Sequence, residues 1–138
     1  MVVIADSDSL IGLLNSEDAH YQTAASIMQE LIKQEARIIY PVTVIAESAT
    51  ILQARLKRKN LAKLIINLVL EDKFIIEPVD EKMLQQATSL LDPVKDSSHN
   101  TLFDAIVATV AKKHKTKLIF SFDKWYEKLG FKLASSLI

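Results

Sequence analysis

Cysteine is absent from the 138-residue chain, which removes disulfide scaffolds, thiolate zinc sites and cysteine nucleophiles, and fits a reducing compartment. Glycine occurs only twice and proline three times. A loop-rich or disordered chain needs more of both, so most of this one is expected to be regular structure. There is no excess of one charge: 17 basic residues balance 17 acidic ones, and any contact with nucleic acid must use local patches. Long apolar runs are also missing. Met1-Val2-Val3-Ile4-Ala5 meets Asp6 at once, and Leu61 to Leu70 is interrupted by Lys63 and Asn67, so neither a leader nor a membrane span is expected and the protein reads as cytoplasmic. With 49% apolar residues and no linker or repeat, the expected organisation is a single domain over residues 1–138.

What the chain does have is alternation. Val2-Val3-Ile4-Ala5, Arg37-Ile38-Ile39-Tyr40, Phe74-Ile75-Ile76 and Lys117-Leu118-Ile119-Phe120 are short apolar runs of the kind that suits strands buried on both faces, and Phe131-Lys132-Leu133 is a candidate edge strand. Between them, periodicity predicts helices over Asp18–Glu35, from Pro41 to about Lys57, over Asn60–Leu70, over Asp80–Leu91, and from a Ser98 cap to His114. Strands alternating with helices imply an α/β fold: a three-layer α/β/α sandwich around a central parallel sheet of four or five strands.

In such a sheet, ligands bind outside the carboxyl ends of the strands. Asp6 directly follows the first strand and Asp123 closely follows the fourth. The plainer role for each is a helix cap. Glu47 shares a helix face with Val44 and Ile51, and Asp104 shares one with Val107 and Ala108, and neither has Lys or Arg three or four positions away. A carboxylate aimed at a core is costly unless it is paired or metal-bound; the alternative is that both sit at the margin of the apolar stripe and reach solvent. If the fold gathers the four acids, their repulsion calls for a hard divalent cation such as Mg²⁺ or Mn²⁺, able to activate water and clamp a phosphodiester, which makes nucleic acid the natural substrate class.

The ordered set Asp6-Ser7-Asp8-Ser9-Leu10-Ile11, Val44-Ile45-Ala46-Glu47-Ser48, Phe103-Asp104-Ala105-Ile106-Val107-Ala108 and Lys117-Leu118-Ile119-Phe120-Ser121-Phe122-Asp123 resembles the PIN domain, and a stand-alone chain of this size is similar to the toxin ribonucleases of VapC-type toxin-antitoxin pairs. The resemblance implies a metal-dependent endoribonuclease in which Asp6, Glu47, Asp104 and Asp123 hold Mg²⁺ or Mn²⁺ and carry the chemistry. Ser7, Asp8 and Ser121 would orient the carboxylates or a water. It further implies an RNA substrate, a cognate antitoxin whose tail docks near Asp6 and Asp104, and a homodimer. Two positions depart from the family pattern: Asp8 stands where Asn is usual, adding negative charge, and Trp125 stands where Phe is common, a change of packing.

Other readings compete. Asp6-Ser7-Asp8-Ser9-Leu10 is similar to the nucleophile loop of haloacid-dehalogenase-like phosphatases, but Leu10 occupies the Thr or Val position and no later Gly-Asp pair exists. A catalytically silent PIN-like scaffold would be marked by loss of one of the four acids. His20, His99 and His114 have polar neighbours and read as surface residues. The basic runs Arg55-Leu56-Lys57-Arg58-Lys59 and Lys112-Lys113-His114-Lys115 complement helix dipoles, with Arg55, Lys57 and above all Lys124, beside Asp123, as candidate RNA contacts. The helix Asn60–Leu70 is apolar over more than one face, which predicts an interface.

Overall fold

In a computed structural model, which describes Met1–Ile138, the apolar runs form five parallel strands: β1 (Val2–Ala5), β2 (Arg37–Pro41), β3 (Ile75–Glu77), β4 (Leu118–Phe120) and β5 (Lys132–Leu133). The sheet order is β3-β2-β1-β4-β5. β1 is central, and its Val3, Ile4 and Ala5 are fully buried, which is why it reads as an unbroken apolar run rather than an alternating one. The helices are α1 (Ser7–Leu14), α2 (Tyr21–Lys33), α3 (Val42–Thr50), α4 (Lys59–Leu70), α5 (Glu81–Thr88), α6 (Leu102–Lys113) and α7 (Trp125–Lys128). None is long and apolar enough to cross a membrane. The chain steps from β1 to β2 to β3 in one direction, then returns across the sheet through α6 to β4 and on to β5. Parallel crossovers are right-handed, so the reversal puts α6 on the face opposite the helices between β1 and β3.

Several boundaries differ from the sequence reading, each for a local reason. The helix expected from Asp18 begins at Tyr21, because the Asp18 carboxylate accepts the His20 N–H (2.8 Å) and closes a turn first. The helix expected from a Ser98 cap begins at Leu102: Ser97 accepts the His99 N–H (3.2 Å), holding 97–100 in a turn, and Thr101 takes the cap position. α5 ends at Thr88 rather than Leu91, since the Thr88 and Ser89 hydroxyls donate to the Gln85 and Gln86 carbonyls (2.6 and 2.7 Å). The helix expected to run to Lys57 changes character at Ile51: residues Ile51–Arg55 form a π-helical turn. α1 and α7 are additions.

Glycine scarcity shows in the helix ends. Glu35, Lys57, Asp72 and Lys115 adopt positive φ (54°, 56°, 57° and 54°) just past their helices, where glycine is the easiest fit. At Glu35, Asp72 and Lys115 the following N–H closes back on Leu31, Leu68 and Ala111 (2.9, 2.9 and 3.1 Å), terminating α2, α4 and α6.

Candidate active site

The reversal in strand order falls between β1 and β4, and a ligand crevice forms where neighbouring connections diverge. Asp6 leaves β1 and Asp123 leaves β4 on either side of that point. Glu47 comes in on the second turn of α3 and Asp104 on the first turn of α6. These four line one cavity of about 330 Å³ together with Ser7 and Asp8.

Each acid is anchored by donors from its own neighbourhood. Asp6, 3% exposed, accepts the Ser7 N–H (2.7 Å) on Oδ1 and the Tyr126 hydroxyl (2.7 Å) on Oδ2. Asp123 accepts the Trp125 N–H (2.9 Å) and the Asn100 amide (2.7 Å), and Asp104 accepts the Thr101 N–H (2.9 Å). The cap reading is therefore correct as geometry for Asp6, which caps α1, and for Asp123, which holds the turn into α7. It is not the whole account, because the caps converge. Asp8 Oδ2 accepts the Ser121 hydroxyl (2.9 Å) and the Phe122 N–H (2.8 Å), and Ser121 in turn accepts the Asp123 N–H (3.1 Å). The exits of β1 and β4 are thus laced together. Trp125 is buried and meets Tyr126 edge to face (5.4 Å), a packing role.

No salt bridge reaches any of these acids; the ion pairs in the molecule are Arg58–Glu17 and the pairs of Glu77 with Lys113 and His114. Asp6, Asp8, Glu47 and Asp104 resist ionisation. Burial, then the charge of Asp6, pushes Asp8 up to about 8 and Asp104 up to about 7. Burial also raises Asp6 against the pull of Tyr126, and raises Glu47, with the Asp6 charge adding to it. Asp8 Oδ1 and Glu47 Oε1 are buried with no hydrogen-bond partner.

A hard cation fits this donor set: the ligands are all carboxylate oxygens, Glu47 Oε1 among them has no partner, and none of the four is in a salt bridge. No three of the acidic or histidine groups stand close enough to be a ready-made ligand shell, so Asp6, Glu47, Asp104 and Asp123 would have to draw in around it.

Of the candidate RNA contacts, Arg55 lines the acid cavity. Lys124 and Lys57 are exposed and do not line it. His99, expected at the surface, is exposed there and lines the rim of the cavity with Ser98 and Thr101; the turn at 97–100 brings it there. Of the three histidines only His114 departs from the surface reading, being partly buried against Glu77 (3.2 Å). His20 stacks on Phe122 with rings 4.0 Å apart and nearly parallel. Sequence reasoning missed Tyr126 and Asn100. Tyr126 carried a signal, standing three residues after Asp123 at the spacing of one helical turn. Asn100 carried none, because its loop has no periodicity.

Comparison with known proteins follows the same lines. The PIN domain profile matches residues 3–132. A VapC ribonuclease of Aquifex aeolicus (strain VF5) is 24% identical over 131 residues, covering 94% of this chain and 93% of the relative. Among solved structures, Mycobacterium tuberculosis VapC20, described as a sarcin-ricin loop cleaving toxin, superposes with a TM-score of 0.77 at 21% identity (94% of this chain, 96% of that one). FitAcB from Neisseria gonorrhoeae superposes with a TM-score of 0.68 at 16% identity, covering 95% of each chain.

Proposed function

This chain belongs to the PIN domain family, and on that premise we propose that it is a metal-dependent endoribonuclease hydrolysing RNA phosphodiester bonds, the toxin of a toxin-antitoxin pair. The observation that carries the reading is the gathering of Asp6, Glu47, Asp104 and Asp123 in one cavity at the strand-order reversal with no cationic side chain paired to any of them. The similarity to a VapC ribonuclease and to an RNA-cleaving toxin supports RNA as the substrate class.

When bound, Mg²⁺ or Mn²⁺ supplies the positive charge that lets the acids ionise together and the Lewis acidity for water and phosphodiester. The chain's own residues do the positioning. Tyr126 and the Ser7 N–H fix both oxygens of Asp6; Asn100 and the Trp125 N–H fix both of Asp123; Thr101 fixes one oxygen of Asp104. Glu47, with Oε1 free, is the least restrained of the four. The Asp8 carboxylate and the Ser121 hydroxyl tie the exit of β4 to that of β1, which holds the Asp123 backbone beside Asp6. Arg55, Lys57 and Lys124 meet the RNA backbone around the acids.

The same family membership supports two partners. On α4, Leu61, Ala62 and Ile65 are buried, while Leu64, Ile66, Val69 and Leu70 are 38–77% exposed. The open side carrying Ile66, Val69 and Leu70 is the homodimer surface. The antitoxin's tail occupies the acidic cavity near Asp6 and Asp104. Purified protein incubated with RNA tests the activity: cleavage should require Mg²⁺ or Mn²⁺, stop in EDTA and resume on adding metal back. Undiminished cleavage in excess chelator contradicts it.

A further inference from the structure

Beside the acid cavity lies a second, smaller one of about 280 Å³, lined by Ala46, Glu47, Thr50, Ile51, Arg55 and Phe103. It shares Glu47, Ile51 and Arg55 with the first, so the two form a continuous surface around the Glu47 carboxylate. Its character is different. Phe103 precedes Asp104 in the first turn of α6 and is 41% exposed, an aromatic ring left open beside a charged site. Arg55 lines the same cavity, forms no salt bridge although its charge reaches Glu47, and is carried by the π-helical turn Ile51–Arg55. A wide turn advances less per residue around the axis than an α-helix does, keeping Ile51 and Arg55 near the Glu47 face; such turns recur at functional sites.

An exposed aromatic plane, a free guanidinium plane and a small apolar floor are what an unstacked nucleobase requires, and the guanidinium also suits the adjoining phosphate. We propose that this cavity is a nucleobase subsite, in which Phe103 stacks the base of the nucleotide next to the scissile phosphate while Arg55 bridges base and backbone. The proposal rests on the ribonuclease reading and adds to it a place for one base beside the cut.

The test is fluorescence of a short single-stranded RNA carrying 2-aminopurine at each position in turn, with Ca²⁺ replacing Mg²⁺. The subsite predicts stacking-induced quenching at one position. Phe103→Ala should abolish that quenching and weaken binding roughly 5- to 150-fold, the loss of one stacked base, and Phe103→Tyr should preserve both. Quenching and affinity unchanged in Phe103→Ala overturn the proposal and leave the cavity to a protein side chain, and absence of binding by the wild type overturns it as well. Mg²⁺-dependent cleavage of the same RNA by the wild type, read separately, shows whether the ribonuclease reading itself stands.

Discussion

Asp8 and Asp104 hold a proton far more firmly in the folded chain than the ordinary carboxyl value of 3.8, and this has a measurable sign. Folding takes up protons between about pH 4 and the raised values near 7 and 8, so without metal the protein should lose stability as pH rises through that window, the reverse of a salt-bridged carboxylate. Asp8→Asn keeps an acceptor for Ser121 and Phe122, and Asp104→Asn keeps one for Thr101. Each variant should therefore be more stable than wild type in EDTA, by on the order of 1 kcal/mol at pH 8 and by little at pH 4. Thermal melts across that range check it, and a destabilised variant at pH 8 would show that the carboxylates are structural caps alone. Much of this cluster was legible from residue type and position, since Asp6 and Asp123 stand at strand exits and Glu47 and Asp104 lie on apolar faces. Their tethers were not. Tyr126 and Asn100 reach the acids from loops and short helices whose geometry depends on tertiary packing, and the fate of Ser121 depends on two strands 115 residues apart in sequence.

Among the elements, α4 keeps the most apolar surface open, with exposed Leu64, Ile66, Val69 and Leu70 around its buried Leu61, Ala62 and Ile65. Ile66 and Val69, 44% and 38% exposed, lie within the proposed dimer surface. Ile66→Glu and Val69→Glu should convert a dimer to monomers in light scattering without loss of fold; a wild type monomeric at micromolar concentration, or a dimer indifferent to both changes, removes this interface. Helix ends give a second prediction. Lys115 holds a left-handed conformation after α6, so Lys115→Gly should raise stability by about 1 kcal/mol in denaturant melts, a gain that Lys112→Gly inside the helix should reverse. Strand positions were readable as short unbroken apolar runs and the longer helices by their 3.6-residue apolar period, whereas the short α1 and α7 carry too few turns to show one. Boundaries slipped where Asp18, Ser97, Thr88 and Ser89 made local hydrogen bonds that compete with the helix, and the π-helical turn at Ile51–Arg55 leaves no mark in residue type.

At the scale of the whole molecule, the parallel sheet makes one carboxyl edge where four acids meet, and the fold holds them together although they repel. A cation that binds only the folded state should raise the melting temperature by about 10 °C at one hundred times its dissociation constant. That gain should shrink in Asp6→Asn, Glu47→Gln, Asp104→Asn and Asp123→Asn. The most direct test of the carboxylate cluster as the catalytic centre is RNA cleavage by Asp104→Asn in Mn²⁺, measured beside the melting temperature of the same sample. A catalytic cluster requires a fold at least as stable as wild type in EDTA with cleavage reduced about 100-fold or more; full cleavage by that variant excludes it.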